Sequence, residues 1–263
     1  MEIIQINKFS YFGNEHNIFF RKTDFVVETL LHISNLPYKT ILISGNSDYC
    51  ITDEIANNIP NNLVKWFCQN RLSNHPVLKS IPIGLDNSTP CAVSNHGYVW
   101  DHACEHIDYL SKAYDYKPTN FIYANFSIET NPSRPIIANV CNNLDYITCD
   151  IVNTHRASNL RSYKDYVNNI LNHEAVVCPQ GNGQGDNHRI YETLYLNRIP
   201  LTFNTEQYKY LHHNFPVVLI TDNDQLKDHS WLRDQIDKAK QKDRSKLDYN
   251  YWHNLIQKEI DEL

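Results

Sequence analysis

Short apolar segments alternate with helix-length segments from Phe121 to Ile220, and this alternation limits the folds that the chain can adopt. Short apolar runs suit buried strands, and the longer segments between them suit crossover helices. Since parallel strands need such crossovers, the pattern predicts βαβ units and a Rossmann-like sheet. The predicted strands of this half are Phe121–Phe126, Tyr146–Cys149, Ala175–Cys178, Ile199–Phe203 and Val217–Ile220. The predicted helices lie near Arg134–Asn142, Ser162–Asn172, Asn187–Asn197 and Thr205–His212.

The first 115 residues contain the same two kinds of segment in a less regular order. The predicted strands are Ile3–Ile6, Thr40–Ser44, Leu63–Gln69 and Leu78–Ile83, and the predicted helices are Thr23–Ser34, Asp53–Asn58 and Tyr98–Tyr114. A polar, proline-bearing stretch at residues 115–120 separates the halves. Because cores tend to split as chains approach about 250 to 300 residues, we predict two α/β lobes, 1–117 and 118–263. The charged run Asp224–Asp248 and the segment Tyr249–Leu263 are predicted to be surface helices.

Composition narrows the function classes. The chain has 263 residues, of which 41% are hydrophobic, and its net charge of −6 opposes binding to a nucleic-acid backbone. No apolar run approaches the roughly 20 residues of a membrane helix, and the N-terminus lacks a basic region followed by an apolar stretch. The seven cysteines show no CxxC spacing, which is typical of reduced thiols. We predict a cytoplasmic protein with no nucleic-acid partner and no membrane-spanning segment.

Glycines cluster at one place in the chain. Three of the seven, Gly181, Gly183 and Gly185, follow a predicted strand and precede a predicted helix. Glycine permits close backbone approach to a ligand, and the amides at a helix start attract anions. The loop therefore predicts a site for a phosphate-bearing ligand, although a turn without a ligand explains the glycines equally well. Its spacing differs from the dinucleotide fingerprint and lacks the Lys-Ser/Thr of a P-loop, so neither an NAD enzyme nor an ATPase is predicted.

The helix predicted after this loop carries two charged residues on one face. Asp186 or Asn187 can cap the helix, and Arg189 and Glu192 lie three residues apart. Arg189 can neutralise a diphosphate, and Glu192 can accept hydrogen bonds from ribose hydroxyls. The alternative is a surface ion pair worth about 0.3 to 0.5 kcal/mol.

The segment CPQGNGQGDNHRIYETLYLNRIPLT, from Cys178 to Thr202, resembles the donor-site signature of exostosin-like glycosyltransferases. That signature is a strand, a glycine-bearing loop ending in Asp-x-His-Arg, a helix with W/Y-E-x-L, and an Ile-Pro pair. Asn197 stands where the family usually has glycine, and Tyr191 stands where tryptophan is common. Further segments resemble the family in the same order, over about residues 40–220: Asn46–Tyr49, Trp66–Asn70, Ile81–Asn87, and Asn125–Thr130 followed by Arg134.

The resemblance implies a GT-B architecture, in which two Rossmann-like lobes face each other across a cleft. The C-terminal lobe would hold a nucleotide-diphosphate sugar, and the N-terminal lobe would hold most of a glycan or glycoconjugate acceptor. The resemblance also implies transfer with inversion, without an essential metal and with no cofactor besides the donor. In such folds the final helix can pack back against the N-terminal lobe.

The implied reaction needs groups that stabilise the leaving diphosphate. Without a metal, cations and helix amides must do this. Arg189, with the amides of Gly183–Asn187, is the first candidate and Arg134 the second, and a surface helix arginine is the alternative for Arg134. Beside Arg189, the donor-binding residues that the resemblance implies are Arg134, Gly183, Gln184, Gly185, His188 and Glu192.

The reaction also needs a base that takes the proton of the acceptor hydroxyl. Asp48 follows the predicted strand Thr40–Ser44 and would project from its carboxyl end into the cleft, so it is our first candidate. A turn-forming Asx residue explains Asp48 as well. The reserve bases are Asp86, His96 and Glu15, and the expected acceptor-binding residues are Asn46, Asn70 and Asp86.

Three other patterns compete with this interpretation. His102, Glu105 and His106 match the H-x-x-E-H signature of inverted zinc peptidases, with Glu105 as base, but no clear distal ligand motif accompanies them. Asp222 and Asp224 match the D-x-D that binds a metal nucleotide in GT-A glycosyltransferases, although their place after a predicted strand favours a helix cap. A non-catalytic nucleotide-sugar binding module would keep the same sheet. Donor hydrolysis or sugar transfer distinguishes an enzyme from that module.

Overall fold

The computed structural model describes residues 1–87, 116–154 and 163–263, and these form two parallel sheets with helices. The predicted α/β class is therefore confirmed, and the topology is consistent with a Rossmann-like fold. The N-terminal sheet has the order β1-β2-β3-β4, formed by β1 (Ile18–Lys22), β2 (Thr40–Gly45), β3 (Leu63–Cys68) and β4 (Leu78–Ser80). The C-terminal sheet has the order β6-β5-β7-β8-β9, formed by β5 (Asn120–Ala124), β6 (Ile147–Cys149), β7 (His173–Cys178), β8 (Ile199–Thr202) and β9 (Val218–Leu219). The helix predicted at 98–114 lies outside the described residues.

The helices bury apolar side chains at helical spacing. In the helix His229–Lys240, for example, Leu232, Ile236 and Ala239 recur every three to four residues and form one buried face. The α-helices are α1 (Val26–Ser34), α2 (Asp53–Ala56), α3 (Arg134–Asn142), α4 (Tyr163–Asn172), α5 (His188–Tyr195), α6 (Thr205–Tyr210), α7 (His229–Lys240) and α8 (Tyr249–Asp261). Shorter 3-10 helices span Ile6–Asn14, Thr23–Phe25, His212–Asn214, Asn223–Lys227 and Ser245–Leu247.

Each sheet separates two apolar layers, because alternate side chains of a strand point to opposite faces. In β7, Val176 and Cys178 belong to a central cluster, whereas Ala175 and Val177 belong to an outer cluster with side chains of α3 and α7. The other outer cluster covers the N-terminal sheet under α1. The central cluster contains side chains of both sheets, α5 and α8, so the core is continuous across the boundary at residues 117 and 118.

The two sheets differ in strand order. When the C-terminal strands are numbered from β5, their order is 2-1-3-4-5, which is a doubly wound order. Its crossover helices α3 and α4 contribute to opposite clusters, through Ile137 and Ile170 respectively. Because the strand order reverses between β5 and β7, a crevice is expected at the carboxyl ends of these two strands. The described strands of the N-terminal sheet follow chain order without a reversal.

The predicted strand Ile3–Ile6 is wrong. Gln5 forms only an isolated antiparallel bridge with Gly84, and a 3-10 helix begins at Ile6. Gly84 has a φ of +74°, and a Cβ there would lie 2.0 Å from the carbonyl oxygen of Ile4, so this close approach of two backbones requires glycine. The first strand of the sheet is instead β1, an edge strand that the sequence analysis missed because its apolar run is short and ends in Arg-Lys.

The final helix, α8, packs one face against the N-terminal half and exposes the other, which carries Asn250, Asn254 and Lys258. Trp252 is buried in the central cluster. The backbone N–H of Tyr249 donates to the carbonyl of Glu2 at 2.8 Å. An ion pair of 3.0 Å joins Lys65 on β3 to Glu259 on α8. These contacts bring the C-terminal segment back to the first sheet.

Candidate functional site

The glycine loop, which we define as residues 179–187, connects β7 to α5 at the carboxyl edge of the C-terminal sheet. Gly183 adopts a φ of +63°, a left-handed conformation that glycine accepts without strain. At Gly181 a Cβ would meet no atom within 4 Å, so the loop is open on that side. The loop therefore begins beside the crevice expected from the strand order.

Two asparagine side chains hold the carbonyl groups of the glycine loop. Asn131, from the loop after β5, donates from Nδ2 to the carbonyls of Gly181 at 2.8 Å and Gly183 at 3.3 Å. Asn204, after β8, donates from Nδ2 to the carbonyl of Gln184 at 2.8 Å. Because both neighbouring strands contribute a clamp, the conformation of the loop is fixed by the sheet edge. Neither asparagine lies in a local sequence motif, so the sequence alone does not distinguish them.

Arg134 lies behind the glycine loop at the start of α3. Its side chain is buried, and its guanidinium donates from Nε to the carbonyl of Gln180 at 2.7 Å and from Nη1 to that of Ser127 at 2.8 Å. Burial and the neighbouring guanidinium of Arg189 lower the pKa of Arg134 to about 10. The side chain is therefore still a cation at neutral pH. The surface arginine weighed as an alternative does not match this burial.

Arg189 lies in the first turn of α5 and brings a second positive charge to the same place. Its Nε is buried and has no hydrogen-bond partner among the described residues. Burial opposes its charge, but Tyr166 and Glu192 outweigh that effect and raise its pKa. No carboxylate of the described residues forms an ion pair with Arg189 or Arg134. Two close guanidinium groups, neither of them in an ion pair with a described carboxylate, make this position attractive to an anion.

Glu192 is on the same helix as Arg189, as the sequence predicts, but its nearest partner comes from α4. The hydroxyl of Tyr166 donates to Glu192 Oε2 at 2.6 Å. Nothing in the sequence distinguishes Tyr166 from the other tyrosines, because its role depends on the packing of α4 against α5. The contact leaves the second carboxylate oxygen, Oε1, without a hydrogen bond to a described residue.

Asp186 is a buried junction between the glycine loop and its surroundings. Oδ2 accepts hydrogen bonds from the backbone N–H of Ile83 at 3.1 Å and from the hydroxyl of Tyr191 at 2.7 Å. Oδ1 accepts from the backbone N–H of Asn187 at 3.0 Å and faces Nε2 of His212 at 2.7 Å. The N-cap of α5 is Asn187, whose side chain forms no capping bond. One carboxylate thus joins the glycine loop to the segment after β4.

Asn46 and Asn70 follow β2 and β3, and both have a φ of 57°. Asn70 accepts the N–H of Asp186 at 2.6 Å and donates to the carbonyl of Ser47 at 2.8 Å. Asn46 is fully buried and donates to Oδ1 of Asn7 at 2.9 Å. Both side chains are engaged in hydrogen bonds inside the protein, and Asn70 holds the glycine loop against the segment after β2. A Cβ on Gly185 would lie 2.8 Å from Asn70 Nδ2, which explains that glycine.

Asp48 is exposed and lies against the glycine loop. Its Oδ2 accepts a hydrogen bond from Nδ2 of Asn182 at 3.1 Å. Its carbonyl oxygen would lie 3.5 Å from a Cβ on Gly183. The structure thus brings together a carboxylate that follows β2 and a glycine loop that follows β7.

His188 and Asp86 face each other. The Nδ1 atom of His188 lies 2.8 Å from the carbonyl of Gly84, and Nε2 lies 3.2 Å from Asp86 Oδ1. Both ring nitrogens are thus engaged with the segment after β4, so His188 supports the loop in this structure and does not point a free nitrogen at a ligand. Of the other reserve bases, Glu15 follows the first 3-10 helix, and His96 lies outside the described residues.

The competing metal motifs receive no support from the described residues. No three His, Cys, Asp or Glu side chains within 1–87, 116–154 and 163–263 are grouped to hold a metal ion. His102, Glu105 and His106 lie outside these ranges. Asp222 accepts the N–H of Asp224 at 2.9 Å within a capping box, so its interpretation as a helix cap is confirmed.

In the part of the chain that the structure describes, no helix is long and apolar enough to cross a membrane. Comparison with known proteins found no matching family model and no matching curated protein. Function is therefore inferred from the residues of the site and their geometry.

Proposed function

We propose that the protein is a cytoplasmic glycosyltransferase that moves a sugar from a nucleotide-diphosphate sugar to a hydroxyl of a glycan or glycoconjugate. One observation carries the proposal: Arg134 and Arg189 place two positive charges, unpaired by any described carboxylate, at the edge where the strand order reverses. Ligands of doubly wound sheets bind at this reversal, and guanidinium groups match the geometry of phosphate oxygens. The motif that resembles the exostosin-like donor signature supplies the same loop and helix.

In this proposal the two sheets are the two lobes of a GT-B arrangement, and the acceptor approaches from the N-terminal sheet. Asp48 supports this assignment, because it follows β2 of the first sheet and yet hydrogen-bonds Asn182 of the glycine loop. A donor bound on the glycine loop would hold its sugar beside this carboxylate. Glu192 would accept a ribose hydroxyl with Oε1, while Tyr166 holds Oε2.

The reaction follows from these positions. The acceptor hydroxyl oxygen attacks the anomeric carbon from the face opposite the diphosphate and forms the new glycosidic bond with inversion. The bond from that carbon to the phosphate oxygen breaks, and its electron pair leaves on the diphosphate. Asp48 takes the hydroxyl proton, and Arg134 and Arg189 stabilise the growing negative charge. These steps use only side chains of this protein and its two substrates.

Binding is tested first, by thermal shift with UDP-, GDP-, CMP- and dTDP-linked sugars, because a ligand of the native state raises the melting temperature. With the nucleotide identified, Arg189→Met should weaken the nucleoside diphosphate about 10- to 100-fold and change the affinity for the nucleoside little. Arg21→Met, on the edge strand β1, is the matched control and should bind like the wild type. Equal diphosphate affinity in Arg189→Met and wild type would contradict the proposal.

Turnover is tested with Asp48→Asn. A general base contributes about 10²- to 10⁴-fold, so turnover should fall by that order while donor affinity stays nearly constant. Full turnover in this variant would move the base to Asp86 or another reserve acid. Transfer should persist in EDTA, and a strict metal requirement would contradict the mechanism. Donor binding without transfer or donor hydrolysis would identify a nucleotide-sugar binding module.

A further inference from the structure

Arg189 and Glu192 are near neighbours that do not pair. They lie three residues apart on α5, a spacing at which opposite charges on a helix normally attract each other. The structure has no ion pair between them, and the buried Nε of Arg189 has no described partner. The Glu192 carboxylate is thus near enough to raise the pKa of Arg189 but does not form an ion pair with it.

Tyr166 occupies the position that accounts for this separation. Its hydroxyl donates to Glu192 Oε2 at 2.6 Å and also interacts with the Arg189 guanidinium, whose carbon lies 5.9 Å from the centre of the ring, so Tyr166 lies between the two charges. Burial and the nearby Glu192 carboxylate hold the pKa of Tyr166 well above its ordinary value. The hydroxyl therefore keeps its proton at neutral pH and acts as the donor.

We propose that Tyr166 is a positioning residue that holds Glu192 away from Arg189 and so keeps the Arg189 guanidinium available for the diphosphate of a bound ligand. The inference rests on the proposed diphosphate site. It adds Tyr166 of α4 to that site, and it makes the orientation of Glu192 on α5 depend on Tyr166. A carboxylate paired with Arg189 would instead neutralise one of the two charges that attract the anion.

Loss of the Tyr166 hydroxyl has a specific consequence. In Tyr166→Phe the ring still packs, but Glu192 loses its hydrogen-bond donor, and Arg189 is the cation within reach on the same helix. The carboxylate should then pair with Arg189 and compete with the anion. Because a hydrogen bond to a charged group is worth about 1.5 to 3 kcal/mol, anion affinity should fall about tenfold or more.

Inorganic pyrophosphate is the probe, since it reports the anion site without any contact to a ribose. Its affinity is measured by calorimetry in the full chain as wild type, Tyr166→Phe, Glu192→Gln and the double variant. We expect Tyr166→Phe to bind about tenfold more weakly than wild type. Glu192→Gln should bind at least as tightly as wild type. The double variant should return to within about twofold of Glu192→Gln, because glutamine carries no charge to compete.

Tyr146→Phe is the matched control. That hydroxyl donates to the carbonyl of Leu226 at 2.6 Å, in the outer layer of the same sheet, and its loss should leave pyrophosphate affinity unchanged. A purely structural role of Tyr166 would lower affinity equally in the single and double variants, and that result would overturn the inference. Equal affinity of Tyr166→Phe and wild type would overturn it as well, as would weaker binding by Glu192→Gln. Absence of pyrophosphate binding in the wild type would instead overturn the diphosphate site itself and this inference with it.

Discussion

The carboxyl ends of the two sheets carry polar side chains that differ in how far the protein satisfies them. After β2 and β3, Asn46 and Asn70 form their hydrogen bonds with other buried groups of the protein. Beside β7, Arg189 keeps a buried Nε without a described partner, and Arg134 lies close to it without a described counter-ion. The first edge acts as a support, and the second edge is where we propose that an anion binds.

Topology explains this difference. In the described part of the N-terminal sheet the strand order follows the chain, and α1 and α2 contribute to the same outer cluster. In the C-terminal sheet α3, which follows β5, and α5, which follows β7, pack on opposite faces, so the loops after β5 and β7 separate. Arg134 and Arg189 follow these two loops. The unsatisfied charges therefore lie where the strand order reverses.

The largest expected effect comes from breaking the link between the two edges at Asp186. In Asp186→Asn an amide replaces a carboxylate that accepts four hydrogen bonds, so donors of Ile83, Tyr191 or His212 lose an acceptor. Each buried donor left without an acceptor costs about 1 to 3 kcal/mol, so the loss of an acceptor for two of these donors costs about 2 to 6 kcal/mol. Urea unfolding should show a loss of that size in the free energy of unfolding.

Asp234→Asn provides the comparison on the surface. Its carboxylate pairs with Lys238 at 2.6 Å, and its side chain is 52% exposed. Surface substitutions of this kind change stability by less than about 0.5 kcal/mol. Similar losses in the two variants would contradict the role of Asp186 as a buried junction.

A smaller effect on stability is expected at the contact between Asn70 and the glycine loop. In Gly185→Ala the new Cβ would lie 2.8 Å from Asn70 Nδ2, and overpacking of this kind costs about 1 to 3 kcal/mol. Gly181→Ala meets no atom within 4 Å and should be nearly neutral. Thermal unfolding measures the difference between the two variants.

A double-mutant cycle sharpens this test. Asn70→Gly removes the obstructing side chain, and glycine accepts the φ of 57° found at this position. The cost of Gly185→Ala should therefore fall to less than about half in the Asn70→Gly background. Additive costs would show that the contact between Asn70 and Gly185 is not what restricts the loop.

The sequence predicted the C-terminal sheet better than the N-terminal one for a physical reason. Strands such as β7 are buried on both faces, so their apolar runs are continuous and stand out between amphipathic helices. The edge strand β1 is half-buried and carries Arg21 and Lys22, whereas Ile3–Ile6 is apolar because it packs into the central cluster beside the sheet. Apolar content predicts that a segment is buried. It does not predict whether the segment hydrogen-bonds to a neighbouring strand, because that depends on the rest of the fold.

The residues of the candidate site also differ in how well the sequence predicts them. The glycine loop and Arg189 lie in one contiguous segment, and Arg134 opens a predicted helix, so local patterns suffice to find them. Tyr166 and Asn131 act on that segment only because α4 and the loop after β5 pack against it. Spacing along the chain contains no signal for such contacts. Their identification requires the tertiary arrangement.

The smallest expected effect concerns the opposite end of β7, where the protein supplies its own counter-ion. Glu174 pairs with Arg233 and, at 2.7 Å, with Lys240. Burial raises the pKa of Glu174, but the hydrogen bonds from Arg233 and Lys240 outweigh it and lower the pKa. The ionised carboxylate thus stabilises the folded state fully above its ordinary pKa of 4.5, and this contribution is lost as the pH falls through the lower folded value.

Glu174→Gln should therefore lower the free energy of unfolding by about 1 kcal/mol at pH 7, which is the upper end of the range for partly exposed ion pairs. It should have no effect at a pH where the wild-type carboxylate is protonated. Urea unfolding at pH 7 and at a series of pH values down to about 2 follows this loss, and Glu262→Gln, with a side chain that is 63% exposed, is the control. Pyrophosphate affinity should stay unchanged, because the cations at this end already have a carboxylate partner. A stability difference that persists at the acidic pH would show that Glu174 acts through packing and not through its charge. A loss of pyrophosphate affinity would show that the charges at the two ends of β7 affect each other. The contrast between the paired cations Arg233 and Lys240 and the arginines near the glycine loop would then be weaker.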